Sequence, residues 1–260
     1  MIAPDANPPA TTDDTLLGGR VRLRQPAAGY RVAIDPVLLA AAVPTQPGTV
    51  LDLGCGVGAA MLCLATRVPA HKITGIDSDR AVVRLAGDNI LANGLADRVI
   101  VMAGDLLRPP PRLEAQSFDH VMANPPYLEA RRGRPPTDAG KEAAQREGEA
   151  DLAAWIRFAL AMARPRGTFT VIHRADRIEQ LLAQLAGRAG EIVLFPLWPG
   201  AGKAAKRVIV RARKGALTPT VLAPGLVLHD DAGRFTAAAE AVLRNGAALA
   251  LDEATVSEGG

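Results

Sequence analysis

Cysteine is nearly absent. The 260 residues contain two, Cys55 and Cys63. They form no Cys-x-x-Cys pair and share one apparent strand–loop–helix unit, which excludes a disulfide framework and a thiolate metal site. A reduced, cytoplasmic protein with no metal is expected. Long apolar runs are missing as well. The stretch VLLAAAV at 37–43 is typical of the longest, far short of the about 18 residues a membrane helix needs. Residues 1–15 hold three acids and no base, which excludes a basic secretory leader and reads as a disordered tail running to residue 18. Aromatic residues are few: five Phe, two Trp and two Tyr. Stacking on a planar ligand therefore has few candidates, mainly Tyr127, Tyr30 and Trp198.

What is present is a core. Hydrophobic residues make up 48% of the chain, enough for one large globular domain with a small appendage. The net charge of +3 is unevenly placed. Residues 20–31 carry Arg20, Arg22, Arg24 and Arg31 without an acid, and residues 199–214 carry Lys203, Lys206, Arg207, Arg211, Arg213 and Lys214 without one. Residues 128–149 instead match five bases with five acids. Acid-free clusters suit an anionic partner better than a small neutral substrate, although a solvated face explains them equally well.

Periodicity alternates along the chain. Strands are predicted at 49–54, 72–77, 98–105, 118–123 and 167–173, and helices at 59–68, 79–94, 150–164 and 175–187. Two further strands, 191–198 and 206–213, follow each other with no helix between them. Strand–helix alternation implies parallel strands covered on both faces, and the last pair implies an antiparallel hairpin at one edge. The expected fold is α/β, a doubly wound, seven-stranded, mostly parallel sheet. Residues 19–48 would pack on the domain 49–215, and residues 216–260 would extend it.

Ligands of such a sheet bind at the carboxyl ends of its strands. Four sequence features fall there. The loop LDLGCGVGA supplies Asp52, Gly54, Cys55, Gly56 and Gly58; its glycines permit a tight turn and close approach to a ligand beside a helix N-terminus. Asp77, followed by Ser78, closes the second strand, where a carboxylate can accept both hydroxyls of a ribose. Gly104 and Asp105 close the third. Asn124-Pro125-Pro126-Tyr127 closes the fourth.

The glycine loop alone also fits a dinucleotide fingerprint. Asp52 separates the two readings, because an acid there suits a cationic amino group and sits badly against a pyrophosphate. S-adenosylmethionine is the expected cofactor. The prolines after strand four cannot continue pairing, so they hold the Asn124 side-chain oxygen and the Pro125 carbonyl in fixed positions. Two such acceptors can draw the hydrogens of a planar amine, localise its lone pair and aim it at an electrophilic methyl. Tyr127 can stack on the planar group.

Together the glycine loop and NPPY resemble the class I aminomethyltransferases that act on planar amines. One branch is similar over nearly the whole folded chain. The segments QPAAGYRVAIDPVLLAAAVP (25–44), the polar stretch after NPPY and AAKRVIVRARKG resemble the bacterial tRNA-valine adenine-N6-methyltransferases, which modify the adenosine 3′ of the anticodon. The resemblance implies cofactor contacts from Asp52, Gly54, Gly56, Asp77 and Asp105, amine contacts from Asn124, Pro125 and Tyr127, and tRNA as partner. On period-two spacing, Arg22 and Arg24 in one row and Arg207, Arg211 and Arg213 in another would flank the cleft and track phosphates. Asp35, before Pro36, reads as a helix N-cap. His173 reads as structural.

Two other functions compete. One is methylation of a different planar amine, a release-factor glutamine or guanine N2 of ribosomal RNA. Glutamine-modifying relatives carry a helical recognition domain, whereas only residues 1–48 precede the first strand here. The other is a non-catalytic cofactor-binding module, for which pre-aimed acceptors would have no use.

Overall fold

The computed structural model of the protein describes residues 10–28, 31–106, 109–126, 152–217 and 219–251. An antiparallel hairpin, β1 (Thr11–Leu16) and β2 (Val21–Pro26), precedes helix α1 (Asp35–Ala42). Alternation then begins: β3 (Thr49–Leu53), α2 (Ala59–Arg67), β4 (Lys72–Asp77), α3 (Arg80–Ala92), β5 (Val99–Ala103) and β6 (Phe118–Ala123). Helix α4 spans residues 152–162. It leads into β7 (Ala163–Arg174), α5 (Ile178–Leu185), β8 (Ala189–Trp198) and β9 (Arg207–Lys214). Short strands β10 (Val221–Leu222) and β11 (Leu226–Val227) and helix α6 (Ala237–Leu243) follow.

The main sheet runs β10-β8-β9-β7-β6-β3-β4-β5, with β11 also on β8. Strands β3 to β7 are parallel, and β9 lies antiparallel between β7 and β8. The expected seven strands are all present. Strands β10 and β11, two residues each, were not legible because so short a segment has no period. They cover the outer edge of β8, so β8 rather than β9 is the outer member of the antiparallel pair.

Alternation of side chains divides the core in two. Val50, Ile73, Met122, Ile172 and Ile209 face α1, α2, α3 and α6. Leu51, Leu53, Val121, Phe169, Val171, Val208 and Val210 face α4 and α5. Helix α3 shows how local chemistry sets its ends. The Asp79 carboxylate accepts the Ala81 N–H at 2.8 Å, and Gly94, with φ +65°, turns the chain after Asn93.

Three expectations are corrected. Residues 11–16 are no tail: they form β1, because Asp13 and Asp14 find basic and amide partners on the neighbouring strand and segment, Arg24 at 3.0 Å, Gln25 at 2.7 Å and Arg31 at 2.8 Å. The cluster at 20–31 is acid-free in sequence only. Asp35 is not the N-cap of α1. Ile34 holds that position, and the Asp35 carboxylate accepts the Arg207 Nε–H at 3.1 Å instead.

Candidate active site

The cofactor loop is positioned by β3 and closed by α2. Gly54, Gly56 and Gly58 have φ of 63°, 55° and 93°, so the chain reverses in the left-handed region where a side chain is strained. Its backbone is pinned: Cys55 N–H donates to Ile76 O and Gly58 N–H to Cys55 O, both at 2.9 Å. The Asp77 carboxylate accepts the Gly56 N–H at 2.9 Å and the Asp79 N–H at 3.0 Å. Asp77 thus shapes the loop from the end of the next strand. Ser78 and Asp105 are exposed at the same edge, and the Gly104 N–H donates to Asp77 O at 2.9 Å.

Asp52 is 2% exposed, and its carboxylate accepts the Met61 N–H in the first turn of α2. That turn has no side-chain cap of its own, since Gly58 is its N-cap. One oxygen, Oδ2, is buried without a hydrogen-bond partner. An orphaned carboxylate oxygen costs free energy until a donor reaches it, so the acceptor left here fits a ligand that brings a cationic amino group.

Burial pushes the Asp52 carboxyl up to about 8, the Met61 N–H opposing and the Asp77 charge adding to the rise. At pH 7 the free protein therefore holds Asp52 mostly protonated, whereas an ammonium beside it favours the carboxylate. Binding then releases a proton. Affinity for S-adenosylmethionine is expected to rise with pH, by up to about tenfold per unit, toward roughly pH 8 and to fall again as the ligand's own ammonium deprotonates. Calorimetry in buffers of different ionisation enthalpy measures the proton directly, and a flat profile from pH 6 to 8 removes Asp52 from the contact. For Asp77→Ala, loss of loop support and of a charged acceptor together should weaken cofactor binding by roughly 1–3 kcal/mol; an unchanged dissociation constant counts against both roles.

Strand β6 runs beside β3 with Ala123 in register with Leu53. The first residue past each strand end is Asn124 on one and Gly54 on the other, so the Asn124-Pro125-Pro126 segment starts next to the glycine loop. Asn124 is half-buried, Pro125 buried and Pro126 exposed. Tyr127 and residues 128–149 lie outside the described residues, as does Tyr30. Trp198 is half-buried and donates its indole N–H to Pro224 O at 3.0 Å.

The basic residues are not brought together. Strand β9 runs opposite to β7, pairing Arg174 with Arg207 and Thr168 with Arg213. Arg207 consequently lies at the cofactor end of the sheet and Arg213 about 20 Å away at the other. There Arg211 and Arg213 line a cavity of about 260 Å³ with Arg164, His120 and Thr168. Arg213 pairs with Glu191 at 2.5 Å. Arg24 is shared with Asp13, while Arg22 is exposed. Arg207, Arg211 and Arg213 therefore do not form a single row at the cofactor end of the sheet.

Three contributors were missed. Trp155 of α4 packs over Gly54; its place in an apolar helix stripe gave only a core signal. Asn89 and Asn93, four residues apart on α3, bind the β2 backbone. The available signal was polar: Asn89 interrupts the buried stripe of Ala86 and Ile90. Both cysteines are free and buried, and burial pushes the Cys63 thiol up to about 12.

A doubly wound sheet with this strand order, a glycine loop after β3 and an acid closing β4 is the fold of the class I S-adenosylmethionine-dependent methyltransferases. The comparisons agree. The methyltransferase small domain family matches residues 31–142. A tRNA1(Val) (adenine(37)-N6)-methyltransferase of Porphyromonas gingivalis is 28% identical over 234 residues, 84% of this chain and 88% of that one. Among solved structures, a predicted O-methyltransferase of Agrobacterium tumefaciens superposes with a TM-score of 0.69 at 24% identity, covering 83% of this chain and 98% of that one. A 16S rRNA N2 G1207 methyltransferase of Thermus thermophilus, in complex with AdoMet and guanosine, gives 0.54 at 21% identity, and the match covers 79% of this chain and half of that one. The chain resembles the class I S-adenosylmethionine-dependent methyltransferases and, among them, the tRNA adenine-N6 enzymes. No helix among the described residues is long and apolar enough to cross a membrane.

Proposed function

We propose that the protein methylates the exocyclic N6 amine of adenine in tRNA, beside the anticodon of a valine tRNA in the cytoplasm. The observation that carries this reading is the register of β3 and β6, which starts Asn124-Pro125-Pro126 alongside the glycine loop. The near full-length likeness to the P. gingivalis tRNA1(Val) enzyme supports the choice of substrate. S-adenosylmethionine, when bound, supplies an electrophilic methyl group on a sulfonium. Asp52 would hold its amino group and Asp77 its ribose hydroxyls. Asn124 and the Pro125 carbonyl accept the hydrogens of the adenine amine, which localises its lone pair without a general base. Pro126 fixes the turn, and Tyr127 stacks on the base. Ser78, Gly104 and Asp105 line the adenosine side of the cofactor. Arg22, exposed on the hairpin, is the candidate phosphate contact, whereas Arg24 and Arg207 are shared with Asp13 and Asp35.

The test is mass spectrometry of nucleosides from purified valine tRNA of a deletion strain. N6-methyladenosine should vanish and return with the intact gene. Unchanged tRNA with loss of methyl from a release-factor glutamine, or from guanine N2 in ribosomal RNA, would move the enzyme to that substrate.

A further inference from the structure

We infer that Asn89 is a positioning residue through which the N-terminal hairpin holds the cofactor loop in its binding shape. The argument starts from a match of spacings. Four residues along a helix rise about 6.0 Å, and two along a strand span about 6.6 Å. Asn89 and Asn93 on α3 therefore meet Arg24 and Arg22 on β2. The Asn89 Oδ1 accepts the Arg24 N–H at 2.7 Å and its Nδ2 donates to Arg24 O at 2.9 Å. The Asn93 amide does the same for Arg22, at 2.9 and 2.7 Å. Two side-chain amides thus act as a substitute strand along the edge of β2 that β1 leaves open.

The two asparagines differ in one contact. The Asn89 Nδ2 also donates to Val57 O at 2.9 Å, inside the glycine loop, whereas Asn93 donates to Asn89 O within its own helix. Asn89 is 2% exposed. One buried amide therefore joins hairpin, helix and loop. Val57 sits between Gly56, whose N–H is held by Asp77, and Gly58, the N-cap of α2. Fixing the Val57 carbonyl fixes the rotation of the peptide that leads into Gly58, and the Arg24 N–H and O of the hairpin fix the orientation of the amide that holds it. The hairpin is then part of the cofactor site at one remove.

The test titrates the full chain with S-adenosylmethionine by calorimetry and follows thermal midpoints in parallel. Asn89→Ala and Asn93→Ala both strip two bonds from β2, and both should lower the midpoint. Only Asn89→Ala removes the loop contact, so its dissociation constant should rise about tenfold while that of Asn93→Ala stays within about twofold. Asn89→Asp keeps the size and the acceptor for Arg24 N–H but has no donor for Val57 O; it should lose affinity as Asn89→Ala does. Should the alanine variant fail to fold, the aspartate variant gives the answer. Equal affinities in the Asn89 and Asn93 variants, or losses that simply follow the midpoints, overturn the inference. The inference rests on the cofactor class and not on the identity of the RNA. Equal variants of a chain that binds cofactor sink it alone; no binding by the unaltered chain sinks the cofactor assignment with it.

Discussion

Replacing Asn124 with alanine is expected to lower the single-turnover rate by about 10²–10³-fold while leaving cofactor affinity nearly intact. The magnitude follows from losing one pre-organised polar contact to a reacting group. The selectivity follows from position. Asn124 lies past the end of β6, whereas the loop that shapes the cofactor site is held by hydrogen bonds involving Asp77, Cys55 and Ile76. Rapid-quench measurement with saturating cofactor and tRNA separates the chemical step from binding. A fall of less than tenfold would mean that the amine is polarised by something else, and the role assigned to Asn124 would lapse.

The second large effect belongs to Gly54. Its φ of 63° lies in the region that costs a side chain about 1–2 kcal/mol, and an added Cβ would overlap the Trp155 ring of α4. Trp155 packs against the apolar core on that face of the sheet, so displacing its ring adds roughly 1–3 kcal/mol. For Gly54→Ala the total is roughly 2–5 kcal/mol, a fall in thermal midpoint of roughly 4–20 °C for a chain of this size. Cofactor affinity should fall with it, because Gly54 opens the loop. Trp155→Ala in the same background removes the clash but not the strain, and should recover part of the lost stability relative to its own single variant. Additive losses in that cycle would show that the ring is not what the new methyl meets.

The alternating part of the fold was legible because each element carries its own period. Residues 49–53, 72–77 and 118–123 are buried on both faces and read as short apolar runs closed by Gly, Asp or Asn-Pro. The residues at the carboxyl edge of the sheet were legible for a related reason. Each lies at or just past the end of a strand, and in a parallel sheet those positions collect at one edge. Asp52 is the exception within this group, since a buried acid on a central strand is informative by being out of place.

Other features had no local signal. Asp13 and Asp14 look like the end of an acidic tail until β2 folds back against them, and the neutralisation of Arg24 and Arg31 exists only across that hairpin. Asp35 and Arg207 are 172 residues apart in the chain. The direction of β9 separates Arg207 from Arg213, although their alternation reads as one row. The sequence by itself determined the strand-and-helix order, the cofactor class and the amine-directed motif, because periodicity, turn residues and strand ends are properties of a few neighbouring side chains. Only the tertiary structure decided which charges are already partnered, which end of the sheet each arginine occupies and which asparagine reaches the glycine loop. Those depend on strand direction and on contacts between distant segments, and no local pattern encodes either.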